Sequence, residues 1–252
     1  MSKSFAGRVF RRTAQDGAPG RFATAALAST LLAACLAALA PVPAHAASCK
    51  SDPAPSIDWQ DCNKASLVLQ ESQLENANLF STDFSYTDLR NSTLSGANFE
   101  KATLIRSSLA GSKAEKANFT RVEGYRTVFS QISAPGASFN SAELQRADFT
   151  AANLTGADFE KAELGRANFT DATITGAGFP MANLARAQLY LAKFEGPLAF
   201  DGAFLFLTHI EGMDLSQATG LQQWQIDQAC GDQNTKLPAD LKAPADWPCA
   251  SN

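Results

Sequence analysis

The sequence predicts a solenoid, a fold made of short stacked repeats, and two observations carry this prediction. Between residues 69 and 194 a large apolar residue recurs every five positions, and 23 of these 26 central positions hold Leu, Phe or Ile. The residue two places before the centre is Ala, Ser, Thr or Val in 24 of the 26 units, and it is alanine twelve times in succession from Ala137 to Ala192. Because a helix face recurs near 3.6 residues and a strand face at 2, a period of five indicates a repeat architecture.

The repeated segments share a motif. The segments ANLTG, ADFEK and ANFTD resemble the pentapeptide-repeat family, whose motif is A(D/N)LXX, and the resemblance covers about residues 67–215. It implies an all-β fold, a right-handed quadrilateral β-helix of about seven coils, in which each unit forms one side and four units form one coil. The central and the small residue then point inward, and the small one lets the chain turn each corner without crowding the core.

Residues twenty positions apart stack in such a coil, and the sequence is ordered in that way. One column of centres reads Leu79, Phe99, Phe119, Phe139, Phe159, Phe179, and the next reads Phe84, Leu104, Gly124, Leu144, Leu164, Leu184. We therefore expect aromatic rings to stack along one edge of the core. The segment EGPLAF contains one extra residue before Phe200 and Leu205 resume the two columns, so we predict a bulge near Pro197.

Three centres are small, and all of them lie within residues 112–136: Ala114, Gly124 and Ala134. Val122 and Ile132 there occupy inward positions that are small in most other units. We interpret this segment as local repacking, in which larger residues at one inward site compensate for volume lost at the other. The alternative is a dent in the wall with Tyr125 at its rim.

The first 46 residues are predicted to be a signal peptide. A basic start precedes an apolar run that begins at residue 22, and the small-x-small site Ala-His-Ala follows at residues 44–46. Cleavage after Ala46 is favoured over an uncleaved membrane anchor, because two prolines stand just before the site. Lipidation at Cys35 is a less favoured alternative, since no polar tether follows that cysteine. This bacterial export signal predicts a periplasmic or secreted protein.

The net charge of the predicted mature chain argues against two classes of binding partner. Removing residues 1–46 leaves 16 basic against 24 acidic residues, which is a net charge of −8. This balance argues against nucleic acid and against an anionic membrane surface as partners. We expect no membrane span after cleavage.

Four cysteines remain in the mature chain, and they form two close pairs in sequence: Cys49 with Cys62, and Cys230 with Cys249. An even count in an exported chain indicates disulfides, and local pairing at each end is favoured among the three connectivities. The pairs flank the repeats. We therefore predict an N-terminal cap at residues 47–66 and a C-terminal cap at residues 216–252, which cover the open edges of the solenoid.

The C-terminal cap is expected to contain a short helix near Leu221–Ala229, begun by Thr219 and stopped by Gly231. The last coils carry outward apolar residues that we name the apolar patch: Leu191, Phe204, Phe206 and Leu207. We expect the tail to fold back over this patch. The alternative is an interface with a partner or with a second copy, since resemblance to pentapeptide-repeat proteins implies a homodimer through the C-terminal end.

No catalytic site is expected. The mature chain holds one histidine, His209, and a lone outward histidine is more often solvated than part of a catalytic triad. The cysteines lack the CxxC spacing of metal sites, and no phosphate-binding or calcium-binding loop pattern is present. We predict a protein that is not an enzyme and that has neither a cofactor nor a metal.

One surface feature is strongly patterned. Five arginines stand twenty residues apart and are predicted to stack below Tyr86 in what we name the arginine column: Arg106, Arg126, Arg146, Arg166 and Arg186. Glu123, Glu143 and Glu163 precede the middle three arginines by three residues. One interpretation is a charge-compensated ladder of surface ion pairs. The other is a binding stripe for an acidic envelope polymer or for an acidic face of another protein.

Three classes of function compete. The first is an exported, non-catalytic protein that presents a rigid surface for protein or acidic-polymer interaction, and we adopt it as the expectation. The second, implied by the resemblance, is a DNA mimic that binds gyrase; export, the cysteine pairs and the positive arginine column oppose it. The third is an envelope enzyme, which needs a pocket that the repeats do not suggest.

Overall fold

The computed structural model of this chain describes residues 49–249. The predicted signal peptide, its cleavage after Ala46 and the alternative at Cys35 lie outside the described residues and stay predictions. Within residues 49–249 there is no helix of the length and apolar character that a membrane crossing requires.

The described chain is a β-helix whose successive coils run parallel to one another. Every backbone bridge that begins before residue 178 joins residues twenty apart, as between Asn78 and Asn98. The bridges are single residues, and the one helix of the described chain is α1, Gln223–Ile226. One side carries nine stacked rungs, from Asp58 to Thr219. The bridges therefore begin before residue 67 and continue after residue 215, so the β-helix is longer than the predicted seven coils. Both ends continue the backbone pattern beyond the segment in which the apolar motif was recognised.

A β-turn closes each side of the coil. In a representative turn the N–H of Ala77 donates to the carbonyl of Leu74 at 3.1 Å, and Asn76 between them has a φ of 56°. A positive φ at the third turn residue is the type II feature that usually favours glycine. Most corners nevertheless carry another residue, and the N–H of that residue donates to the next coil, as Asn76 does to Ser95 at 2.9 Å. This repeated bond helps to stabilise the left-handed conformation.

The predicted column of aromatic rings is confirmed. From Phe99 to Phe200 the rings stack with centroid separations of 4.8–5.6 Å. On the opposite side of the core Phe129, Phe149 and Phe169 stack at 4.9 Å. Rings of the two columns meet edge to face at 5.6–6.0 Å. Both arrangements are favourable for aromatic pairs.

The small centres are repacked as predicted, and the wall has no dent at this point. A Cβ added at Gly124 would lie 2.7 Å from Cδ2 of Leu144, so the neighbouring coil fills the space that the glycine leaves. Val122 and Ile132 are fully buried. Tyr125 is 37% exposed and stands on the surface beside a filled core.

The N-terminal end begins with an inward-facing pair, Trp59 and Lys64. Trp59 is fully buried, and the Lys64 side chain lies over it with Nζ 3.5 Å from the ring centroid. The same Nζ donates to the carbonyl of Cys49 at 2.9 Å. Burial lowers the pKa of Lys64, and the charge of Asp52 partly offsets that effect. The predicted disulfide between Cys49 and Cys62 is present and holds this first loop on the coil.

At the C-terminal end α1 replaces one side of the last coil, whose other sides bridge to the coil below at Thr219, Cys230 and Lys236. Nε2 of Gln225 donates to the carbonyls of Phe200 and Ala203 at 2.9 and 2.8 Å, so one buried side chain satisfies two acceptors of the open edge. Gln222 precedes the helix, and its N–H donates to Oε1 of Gln225 at 2.7 Å. Such a reciprocal cap stabilises a short helix that has little strength of its own.

The predicted boundaries of this helix are corrected. Thr219 does not cap it, because Thr219 bridges to the coil below. Gly231 does not stop it either, because α1 already ends at Ile226 with Asp227 as its C-cap. The ring of Trp247 packs directly against Gly231 and leaves no space for a Cβ. The predicted disulfide between Cys230 and Cys249 is present and ties the tail to the end of the β-helix.

Candidate functional site

The arginine column lies along one corner of the β-helix. Each of its five residues is the third residue of a turn, with φ between 54° and 61°, and all five are exposed. The N–H of Arg126 donates to the carbonyl of Gln145 at 3.1 Å, and the other four bond to the next coil in the same way at 2.8–3.1 Å. The repeating backbone therefore sets the spacing of the column, and the side chains project from the corner.

The guanidinium groups have few partners among residues 49–249. Three lie near a ring, with distances from Cζ to the centroid of 5.9 Å for Arg106 on Tyr86, 5.3 Å for Arg126 on Tyr125 and 6.0 Å for Arg186 on Phe206. Exposed contacts of this kind contribute about 0.5–1 kcal/mol each. Arg146 and Arg166 make no side-chain hydrogen bond, ion pair or ring contact with any described residue.

Glu123, Glu143 and Glu163 form a second column, the acidic column, on the adjoining flat side. Backbone bridges join Glu123 to Glu143 and Glu143 to Glu163. The ion pairs expected between these carboxylates and the arginines are not formed, and all six ion pairs in the described chain involve other residues. The acidic residues occupy bridge positions and the arginines occupy corners, so the two columns run side by side without meeting.

A shallow groove of about 430 Å³ runs beside the second half of the arginine column. It is lined by Gln145, Arg146, Gly165, Arg166, Ala185, Arg186 and Phe206. The groove exists because Gly165 and Ala185 stand where other coils carry Tyr125 or Phe206. Three guanidinium groups along an open groove match the geometry of carboxylate and phosphate ligands.

The apolar patch stays uncovered. Leu191 is 61% exposed, Phe204 and Phe206 are each 41% exposed, and Leu207 is partly buried. The rings of Phe204 and Phe206 lie nearly parallel, 6.1 Å apart. The expectation that the tail folds over this patch is wrong, because α1 lies within the last coil, where unpaired carbonyls of the coil below attract it, and not on the wall.

One side of the wall is interrupted after the predicted bulge. The extra residue near Pro197 shifts the next bridges to a spacing of twenty-one, as between Gly178 and Ala199. Lys193 bridges to the coil before it, but no bridge joins it to Asp214. An opening of about 700 Å³ lies at this break, and Glu195 is among the residues that line it. The sequence indicated the bulge and gave no sign of the opening.

His209 forms a pair that the sequence did not suggest. Its Nδ1 lies 2.8 Å from Oε1 of Glu211, and its ring meets Tyr190 edge to face at 6.4 Å. No serine, threonine or cysteine of residues 49–249 bonds to the His209 ring, and the same residues hold no group of three or more potential metal ligands. The pair therefore lacks the nucleophile that a triad requires.

Comparisons with known proteins agree with the repeat. The chain matches a family described as pentapeptide repeats in eight copies, over residues 66–96, 82–121, 125–160, 136–171 and 152–196, which together span just over half of the sequence. No curated protein sequence matches it.

Several solved structures are similar to this chain. One is HetL, involved in heterocyst differentiation regulation in the cyanobacterium Nostoc sp. strain PCC 7120, with 21% identity, 77% of this chain and 90% of that chain covered, and a TM-score of 0.48. Another is full-length QnrB1, a plasmid-mediated fluoroquinolone resistance protein, with 17% identity, coverage of 68% and 94%, and a TM-score of 0.39. A third, from the Arabidopsis thaliana thylakoid lumen, has 26% identity, coverage of 60% and 82%, and a TM-score of 0.29.

Proposed function

Since this chain belongs to the pentapeptide-repeat family, whose members are generally structural or interaction proteins, we propose that it is an exported interaction protein without catalytic activity. Its right-handed β-helix presents a rigid surface. The arginine column on that surface binds the carboxylate or phosphate groups of an acidic partner, either an acidic protein face or an acidic polymer of the envelope.

The observation that carries the proposal is the lack of counter-charges at the column. Arg146 and Arg166 line the groove without an ion pair to any described residue, and Arg186 contributes only a ring contact. Like charges spaced at the pitch of the coil repel each other in water by about 1 kcal/mol per neighbouring pair before screening. Bound anionic groups relieve that repulsion and accept hydrogen bonds from the guanidinium forks.

Export is supported by the two ends of the chain. The basic and apolar start followed by a small-x-small site is typical of a signal peptide, and disulfides such as Cys49–Cys62 and Cys230–Cys249 persist in oxidising compartments. Mass spectrometry of the protein from the envelope fraction tests this directly. We expect an N-terminus at Ala47, whereas a cytosolic protein that keeps residues 1–46 would contradict export.

The alternative of a gyrase-binding DNA mimic has less support. The predicted mature charge of −8 fits it, but five exposed arginines in one column have the sign opposite to a phosphate backbone. It remains the second candidate if residues 1–46 stay on the protein.

The proposal is tested by binding of the protein to defined anions and to envelope extract. Immobilised polyglutamate and polyphosphate serve as probes, beside affinity capture from the envelope. The test variant changes the three arginines of the groove, Arg146, Arg166 and Arg186, to Gln. The matched control changes Lys101, Arg121 and Lys161 to Gln, because these exposed residues occupy the same turn position, with φ between 57° and 60°, at another corner.

We expect the parent and the control variant to bind an anionic probe and the test variant to lose at least about tenfold in affinity, with binding that weakens as salt rises. Circular dichroism verifies that all three proteins fold alike. Equal binding by the parent and the test variant would reject the arginine column as the site.

A further inference from the structure

The flat side that carries the acidic column and the corner that carries the arginine column form one continuous surface, which we name the charged face. Each coil in its middle contributes a glutamate on one edge and an arginine three residues later on the other, as Glu143 and Arg146 do. The column between them reads Ile105, Tyr125, Gln145, Gly165, Ala185 and Phe206. The face therefore has an acidic edge, a mostly uncharged centre and a basic edge, and the corner beyond its acidic edge carries Lys101, Arg121 and Lys161.

Both edges are unsatisfied inside the protein. Glu123 and Glu143 make no side-chain hydrogen bond or ion pair with any described residue, and Glu163 accepts only from Nδ2 of Asn183 at 2.8 Å. The arginines lack carboxylate partners as well. A partner that offers arginines opposite the acidic edge and carboxylates opposite the basic edge would satisfy both.

A second copy of this chain offers that pattern in one orientation. A two-fold axis parallel to the β-helix axis exchanges the left and right edges of the face but keeps each coil at its own height. Arg126, Arg146 and Arg166 then meet the partner's Glu123, the partner's Glu143 and the partner's Glu163, which makes six ion pairs across the interface. A two-fold axis perpendicular to the β-helix would place arginines against arginines, and repulsion disfavours it.

The C-terminal end of the face is apolar in the same self-complementary way. Phe204 continues the acidic edge through its bridge with Asn183, and Leu207 continues the basic edge with a φ of 52°. In the parallel arrangement Phe204 meets the partner's Leu207, and Phe206 lies at the axis against the partner's Phe206. Burial there removes the exposed rings from water.

We propose that the acidic partner of the arginine column is a second copy of this chain, in a parallel dimer across the charged face. The inference rests on the proposed function, because it uses the same column as the binding surface. One side of a β-helix is narrow, and exposed ion pairs are screened by salt, so the dimer dissociates at concentrations on the order of 10–100 µM and more readily at high salt.

Charge reversal followed by mixing tests the proposal. The first variant carries Arg126→Glu, Arg146→Glu and Arg166→Glu, which makes both edges acidic. The second carries Glu123→Arg, Glu143→Arg and Glu163→Arg, which makes both edges basic. The control carries Lys113→Glu, Lys116→Glu and Lys193→Glu, which reverse three exposed charges on and beside the opposite side of the coil. All proteins are expressed from the complete coding sequence, verified by circular dichroism and analysed by sedimentation equilibrium at about 50 and 500 mM salt.

We expect the parent and the control to dimerise at low salt, and each charge-reversed variant alone to show a dissociation constant raised at least about tenfold. An equimolar mixture of the two variants regains the dimer, because an all-acidic face meets an all-basic face. If a reversed variant does not fold, the corresponding change to Gln replaces it, and the same loss is expected.

Three results would overturn the inference: a parent that stays monomeric at about 100 µM and low salt, variants that dimerise as the parent does, or a mixture that does not associate. The proposed function is judged separately with polyglutamate. A monomeric parent that binds polyglutamate, and loses that binding only in the first variant, keeps the arginine column as an anion site with another partner. A parent that neither dimerises nor binds polyglutamate rejects both.

Discussion

The coils between residues 137 and 192 and the coils before residue 93 share one fold but fill their interior differently. In the later coils the small inward position is alanine without exception, and phenylalanine rings stack behind it. In the earlier coils the same inward position includes hydroxyl residues, all of them buried: Ser72, Thr82, Thr87 and Ser92.

The hydroxyls of Thr82, Thr87 and Ser92 are satisfied by the preceding coil. Oγ1 of Thr82 donates to the carbonyl of Trp59 at 2.6 Å, and Oγ1 of Thr87 donates to the carbonyl of Lys64 at 2.6 Å. A buried hydroxyl without such an acceptor would destabilise the fold. The difference between the two regions teaches that the inward corner site accepts a hydroxyl as well as an apolar side chain, because the stacked backbone offers a carbonyl at that point.

The largest loss of stability is expected from substitutions at the central positions of the repeats. Phe149 stacks on two rings at 4.9 Å and meets two more edge to face at 5.6 and 5.7 Å. Phe149→Ala should lower the free energy of unfolding by about 3–5 kcal/mol. Leu89→Ala, in the same column of the earlier coils, should lower it by less, since aromatic contacts add about 0.5–1.5 kcal/mol per pair. Urea unfolding measures both free energies, provided that the variants keep the denaturant dependence (m value) of the parent. An equal or greater loss of stability for Leu89→Ala would contradict the ranking.

A smaller effect is expected when a hydroxyl is removed from the earlier coils. Thr82→Val keeps the shape of the side chain and deletes its bond to the carbonyl of Trp59. That carbonyl also accepts from the N–H of Cys62 at 3.0 Å, so it keeps one donor, and the expected loss is only about 0.5–1.5 kcal/mol. Thermal unfolding of Thr82→Val beside Thr82→Ser separates the bond from the methyl group. A loss in Thr82→Ser as large as in Thr82→Val would assign the effect to packing.

The reciprocal change sharpens the comparison. Ala142 occupies the same column as Thr82, sixty residues later, and is fully buried. A hydroxyl there would face the carbonyl of Phe119, which already accepts from the N–H of Val122 at 3.3 Å. We expect Ala142→Ser to change the free energy of unfolding by less than about 1 kcal/mol. A loss of several kcal/mol in the same urea experiment would show that the later coils require an apolar residue.

The smallest effect concerns a surface pair that only the earlier coils possess. Arg90 donates to Asp88 from Nε at 2.9 Å and from a terminal nitrogen at 2.7 Å. This hydrogen bond is the main reason why the pKa of Asp88 falls from 3.8 to about 2. Because the folded pKa lies below the unfolded value, the stabilisation is complete above pH 3.8 and is lost as the pH falls towards about 2.

NMR titration of the Asp88 carboxyl measures this pair. Arg90→Gln should raise the pKa of Asp88 towards 3.8, because it removes the hydrogen bond that is the main cause of the lowered value. An unshifted Asp88 in Arg90→Gln would mean that the turn and not the arginine holds its pKa. The effect on global stability should be slight, as for most exposed ion pairs.

Much of the fold could be read from residue size, and the exceptions identify where size is not decisive. The phenylalanine column and the repacking around Gly124 were predicted because a close-packed core needs a similar side-chain volume in every coil. Lys64 was not predicted to face inward, because the repeat was recognised from apolar residues at inward positions and a lysine does not fit that pattern. Its amine is tolerated there because the carbonyl of Cys49 and the ring of Trp59 receive it.

The candidate site was predicted only in part. The spacing of the arginine column follows from the twenty-residue coil and was visible in the sequence. The absence of ion pairs to the acidic column, and the groove beside Gly165 and Ala185, were not visible, because they depend on how far a corner position stands from a flat side. The tail was placed wrongly for a related reason: the unpaired carbonyls at the end of the coil, which bind Gln225, exist only once the coil is formed.

By itself the sequence determined which residues point inward and which of them stack, because close packing requires side chains of similar size every five and every twenty residues. The positions of the cysteines likewise indicated the two disulfides. Only the tertiary structure decided what happens at corners, ends and breaks. There the contacts depend on backbone direction and on unpaired polar groups, as at the missing bridge between Lys193 and Asp214. Backbone direction and unpaired polar groups follow no sequence period, so the repeat pattern could not predict them.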